Sequence, residues 1–71
     1  MINSTRIKER MKQMKVTQAQ LAGKLGIKAP TMNQKLNNVR PMFLHEADIV
    51  AKELGIGPEL FCAYFFWNEI A

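Results

Sequence analysis

Apolar residues recur along this chain at spacings of three and four, in short blocks closed by turn-forming residues, which predicts several short helices. In the first block Ile7, Met11 and Met14 form the inward stripe behind Asn3 or Ser4 as cap, with Arg6, Lys8 and Arg10 off the stripe. Thr17 is a good N-cap for a second helix. Gln20 three residues on completes a capping box, and Val16 and Leu21 sit where a hydrophobic staple forms. Leu21, Ala22 and Leu25 face inward, and Gly26 then suits a left-handed turn that a β-carbon disfavours.

Ile27 fills the core beneath that turn. Pro30 belongs in the first turn of a third helix and pushes Ala29 out of helical geometry, so the cap is Lys28 or Ala29. Neither caps well, and the free N–H groups there need water or an anion. Met32 and Leu36 anchor this helix and Asn37-Asn38 ends it, since asparagine tolerates the left-handed conformation. After the loop Val39-Arg40-Pro41, a fourth helix runs from about Leu44 to Leu54 with Leu44, Ala47, Val50, Ala51 and Leu54 on one face. Gly55 stops it, Ile56 returns to the core, and Gly57-Pro58 opens a short last helix through Glu59, Leu60 and Phe61.

The expected fold is all-α: one compact domain over residues 1–71, a bundle of about five short helices with a helix-turn-helix formed by helices 2 and 3. Residues 63–71 stand apart as a candidate dimerisation tail. Tyr64, Phe65, Phe66 and Trp67 follow one another, and all favour β structure. As an extended or β-strand tail, Tyr64, Phe66, Asn68 and Ile70 share one face while Phe65 and Trp67 share the other. The alternative is that these aromatics fold back as the domain's own core; one face each is compatible with both.

Seventy-one residues lie near the lower limit for a core without staples, and a hydrophobic content of 48% favours a packed domain over disorder. One cysteine forms no internal disulfide and no signal-peptide pattern opens the chain, which fits a reducing cytoplasm. No apolar run approaches the ~20 residues of a membrane span. Charge sharpens the picture. The net charge is +4, but nine Lys and Arg against Glu9 alone give residues 1–40 a balance of +8, while Lys52 against five carboxylates gives residues 41–71 a balance of −4. That segregation favours a polyanion on the face carrying the helix-turn-helix, and the unit itself points to DNA in the major groove.

Enzyme chemistry has little support. His45 and Cys62 are single residues with no orienting third group, and two such ligands fall short of a zinc site. Met11, Met14, Met32 and Met42 read as core filler, and no glycine-rich phosphate loop is present. The expectation is therefore no enzyme, no metal, no cofactor, no membrane and no small-molecule ligand.

Thr17-Gln18 with Leu21-Ala22, then Gly26-Ile27, then a helix ending in Leu36-Asn37-Asn38 closely resembles the Cro and repressor-type DNA-binding domains of bacteriophages, within the wider family of small helix-turn-helix regulators. Glu46-Ala47 and Leu54-Gly55-Ile56 look like that family's fourth helix, and Tyr64-Phe65-Phe66 is similar to the tail of a group of very short phage regulators. The resemblance covers residues 5–66 or so. It implies that Ala22 lets the two helices cross closely, that residues 29–36 are the recognition helix, and that side chains at Lys28, Ala29, Pro30, Asn33 and Gln34 face base edges. It also implies that Gln18 touches phosphate. The chain departs from the family in having Lys28-Ala29-Pro30, where a hydroxyl and polar readers are common, and Phe43, where a hydroxyl cap is common.

Asn33 and Gln34 are accordingly the leading candidates for sequence readout, since their amides pair bidentately with N6 and N7 of adenine. An ordinary solvated helix face is the plain alternative. Ala29 and Pro30 suit thymine methyls, and Lys28 suits guanine or a phosphate. Lys35, Asn37, Asn38 and Arg40 are candidates for phosphate contact on one side of the groove, and Thr17, Gln18, Arg6 and Arg10 on the other. Arg40 beside Pro41 has an interface or local packing as its alternative. The resulting expectation is a dimeric phage or prophage repressor of the Cro type in a bacterial cytoplasm, associated with the nucleoid. It would occupy palindromic operator DNA and pair through Tyr64, Phe65, Phe66 and Trp67, by an edge strand as in some Cro proteins. The competing class is a protein-interaction module, an antitoxin or an anti-repressor partner, that uses the aromatic tail.

Overall fold

The computed structural model describes residues 1–66, and they form five helices with no strand among the described residues. α1 spans Ser4–Met14, capped by the Asn3 side chain, which accepts from the Arg6 N–H at 3.3 Å. It ends at Lys15 in the left-handed region (φ 56°), and Val16 N–H closes the turn on Met11 O at 2.9 Å. Ile7 and Met11 are buried as expected, but Met14 is 42% exposed. The turn at Lys15 brings Val16 against the core instead and leaves Met14 at the rim beside Gly55.

α2 spans Gln18–Leu25 and carries the full capping box: Thr17 Oγ1 accepts from Gln20 N at 3.1 Å, and Gln20 Oε1 accepts from Thr17 N at 2.7 Å. Gly26 takes φ 69°, and Ile27 N–H returns to Ala22 O at 3.0 Å, so the chain reverses into α3, Ala29–Leu36. The α2–α3 pair is the most intimate helix contact in the bundle, with Leu21, Ala22, Met32 and Leu36 buried between the helices and the rest of the core. Asn38 supplies the left-handed residue after α3 (φ 62°).

α4 spans Leu44–Glu53. Its first turn lacks a hydroxyl cap, and Glu46 supplies only the returning half of a capping box, accepting the Phe43 N–H at 2.9 Å. The inward stripe is Glu46, Ala47, Val50, Ala51 and, just past the helix, Leu54; the expected Leu44 is 65% exposed. At 3.6 residues per turn Leu44 lies roughly a quarter-turn off the centre of that stripe. Gly55 (φ 64°) and Ile56 then lead to α5, Pro58–Phe65.

α5 runs further than sequence patterning suggests and absorbs the start of the aromatic run. Tyr64 and Phe65 form its last turn and are 9% and 3% exposed, so at these two positions the strand reading gives way to folding back on the core. Intrinsic β preference loses here to burial, as it does whenever a helical register offers an apolar site. Phe66 is exposed, and Trp67 with the remainder of the expected tail lies outside the described residues. The N-terminal segment seals this end: Asn3 N–H donates to Tyr64 O at 2.8 Å, and Ile2 is buried. The Asn38 amide grips the backbone of Ile2, accepting from its N–H at 2.9 Å and donating to its carbonyl at 3.0 Å.

Candidate nucleic-acid interface

The outward face of α3 begins at Lys28, whose backbone is extended and whose side chain makes no capping hydrogen bond. Lys28, Ala29, Pro30 and Asn33 are exposed and Gln34 is half-buried, so all five expected base-facing residues line one accessible strip. Ala29 and Pro30 present carbon only, as the sequence indicates.

Two amide contacts hold this strip to its neighbours. Gln18, on the first turn of α2, donates through Nε2 to Ala29 O at 3.2 Å and accepts through Oε1 from Asn33 Nδ2 at 3.2 Å. A single side chain thus bridges the start of α2, the start of α3 and a candidate reader. On the other side, Arg40 Nε donates to Gln34 Oε1 at 2.5 Å. Neither bridge was visible in the sequence, because both join residues whose proximity only the turn at Gly26 or the loop after Asn38 creates.

The expected phosphate contacts divide. Gln18 and Arg40 border the α3 strip through the two amide contacts, while Thr17, next to Gln18, is exposed and engaged in the α2 capping box. Lys35 does not remain a phosphate contact: it is 6% exposed and lies on the inner side of α3, three residues after buried Met32. Its Nζ donates to Glu46 Oε1 at 2.9 Å and to Pro41 O at 3.2 Å, and sits 4.9 Å from the Phe43 ring centroid. Burial pushes the Glu46 carboxyl upward. The Lys35 hydrogen bond, the Phe43 N–H and nearby positive charge outweigh that and hold it below its ordinary value.

Arg10 is likewise drawn inward, donating through Nε to Leu54 O at 2.8 Å and through Nη2 to Gly55 O at 3.2 Å. It closes the carboxyl end of α4, where orphan carbonyls need donors. The Asn38 amide is committed to Ile2, while Asn37 donates to Asn33 O at 2.9 Å and accepts from Lys8 Nζ. Arg6 stacks over the Tyr64 ring at 5.0 Å. Lys35, Arg10, Asn37, Asn38 and Arg6, five of the polar residues expected on DNA, therefore have structural partners within the fold. Of the four aromatics expected on a pairing surface, Tyr64 and Phe65 belong to their own chain's core.

A second accessible feature lies away from this strip: an apolar groove between α4 and α5, lined among others by Leu44, Ala51, Ile56 and Phe61. No group of three or more potential metal ligands occurs among the described residues, and no described helix is long and apolar enough to cross a membrane.

Comparison with curated proteins and with solved structures yields no match. Comparison with protein families matches the Cro/C1-type HTH DNA-binding domain over residues 6–64, which takes in all of α2 and α3, the turn between them and the helices that brace them. This chain belongs to the family of Cro/C1-type helix-turn-helix DNA-binding domains, and it is a DNA-binding transcriptional regulator.

Proposed function

We propose that the chain is a sequence-specific repressor of the phage or prophage Cro type. It lays α3 in the major groove, with Asn33 and Gln34 reading base edges, Ala29 and Pro30 against thymine methyls, and Lys28 on guanine or phosphate. Thr17 and Gln18 set register on the backbone. The observation that carries this reading is the accessible α3 strip, whose amide readers Asn33 and Gln34 are tied by Gln18 and Arg40 to the elements flanking it.

One α3 spans only a few base pairs. The functional unit is therefore two copies related by a two-fold axis, with their recognition helices about 34 Å apart on a palindromic operator. The exposed apolar margin of α4 and α5, including Leu44, Leu60 and Phe66, supports pairing there, with Trp67 as a further candidate. Repression follows from occupying DNA that polymerase needs.

Footprinting on the DNA around its own gene tests the reading, and the expected result is a protected palindrome whose affinity falls steeply with salt. Affinity for that region no better than for random duplex would sink it.

A further inference from the structure

Two neighbouring amides, Asn33 and Gln34, carry the same chemistry, yet their partners orient them differently. A guanidinium has donors only, so the Gln34 atom facing Arg40 Nε is the carbonyl oxygen. A backbone carbonyl only accepts, so Gln18 turns Nε2 to Ala29 O and presents Oε1 to Asn33, which must then donate through Nδ2. Asn33 keeps Oδ1 and its second amide hydrogen, the pairing edge that matches adenine.

Gln34 is left with a different edge. Its oxygen already accepts from a cation, and its donors are the two Nε2 hydrogens. Arg40 is exposed, but the backbone that carries it is fastened from both ends. Val39 N and Arg40 N both donate to Gln34 O, at 2.8 and 3.2 Å, and buried Lys35 holds Pro41 O at 3.2 Å. The turn at Asn38 (φ 62°) is what brings the loop back over α3.

We infer that Arg40 is a specificity-determining positioning residue: by occupying one lone pair of Gln34 Oε1 and setting a cation beside the other, it turns Gln34 towards donation through Nε2 and so favours the acceptor edge of guanine over adenine. Adenine would place its N6 amino donor against the guanidinium, whereas guanine offers N7 and O6, both acceptors. The half-site would then pair adenine with Asn33 and guanine with Gln34. The inference rests on the proposal that α3 lies in the major groove.

The test is selection from a pool of duplexes with randomised half-sites, using the full chain and the variants Gln34→Ala, Arg40→Met and Arg40→Lys. The position read by Gln34 is the one whose base preference Gln34→Ala flattens. There the unaltered chain should prefer guanine to adenine by about fivefold or more, the lower end of what a good base contact discriminates. Arg40→Met should erase or reverse that preference while leaving the preference at the Asn33 position intact. Arg40→Lys, which still offers a donor to Oε1, should keep it. A guanine preference unchanged in Arg40→Met, with affinity lowered alike for all sequences, makes Arg40 a phosphate contact and overturns the inference alone, as does a preference for adenine in the unaltered chain. No base preference at any position in the unaltered chain overturns the major-groove reading, and this inference with it.

Discussion

Replacing Lys35 by Met should destabilise the domain by about 3 kcal/mol without altering how DNA binding depends on salt. The side chains of Lys35 and Glu46 are only 8% and 9% exposed, and they meet at 2.9 Å. Methionine keeps the aliphatic stem but strands the Glu46 carboxylate with the Phe43 N–H as its remaining donor. Removing one partner of a buried pair costs about 3–5 kcal/mol, and the lower end applies because Pro41 and Phe43 beside it are exposed to water. In a domain of this size about 3 kcal/mol lowers Tm by roughly 12–24 °C. The double variant Lys35→Met with Glu46→Gln removes both charges and keeps an acceptor for Phe43 N–H, so it should recover about 2 kcal/mol of the loss.

The pH dependence of the same pair has a definite sign. Glu46 is held below its reference value of 4.5 in the folded chain, so around and below that pH the unfolded chain binds more protons. The pair's contribution is complete above the ordinary carboxylate range, declines as pH falls below it and is gone once pH has passed the lowered folded value; Lys35→Met should flatten that decline. Urea denaturation followed by circular dichroism at pH 7 and at pH 3.5, both values chosen to lie on about either side of the ordinary carboxylate pKa, measures each term. A phosphate contact would instead reduce the salt slope of DNA affinity by about 0.9 per residue. A variant that costs under about 1 kcal/mol, adds independently to Glu46→Gln and flattens the salt slope would show the pair to be a surface one.

Other substitutions separate folding from recognition. Asn33→Ala should relax discrimination at one base pair by about 1–3 kcal/mol, and Gln18→Ala should weaken discrimination at that same pair; competition binding in which operator and random DNA lose affinity equally would contradict both. Thr17→Ala removes the hydroxyl that accepts Gln20 N–H and should cost about 1 kcal/mol in urea unfolding, with an unchanged midpoint as the contrary result. Leu44→Asp, on an exposed position, should leave Tm within a few degrees yet lower both the sedimentation-derived dimer fraction and operator affinity; a dimer that persists would move the pairing surface elsewhere.

Punctuation and spacing made most of the fold legible. Thr17 with Gln20, Gly26, Pro30 and Asn38 each impose a local geometry that few other residues accept, and every one appears where the chain turns or a helix begins. α3 is bounded as expected because proline and asparagine mark both ends. Partnership was the harder part. Lys35 looked like a surface cation because charge usually means solvent; its position three residues after Met32, and an acid in the first turn of α4, were the clues to its burial. Arg10 and Asn38 face carbonyls and backbone far along the chain, at separations no local pattern encodes. Tyr64 and Phe65 show local β preference yielding to a core that needed two more large side chains.

The bond from Asn3 N–H to Tyr64 O, with Ile2 sealed beneath it, joins the segment ahead of α1 to the last turn of α5. On the ribosome, α1 through α4 emerge first, but the cover over Ile2 does not exist until residues 64 and 65 have been added and have cleared the exit tunnel. The turn at Gly26 can thus begin to form from its local signals, while α3, too short to persist alone, waits for the core to close over it. A nascent chain paused short of Tyr64 would carry a formed turn at Gly26 and an open core, competent in motif but not yet in stability.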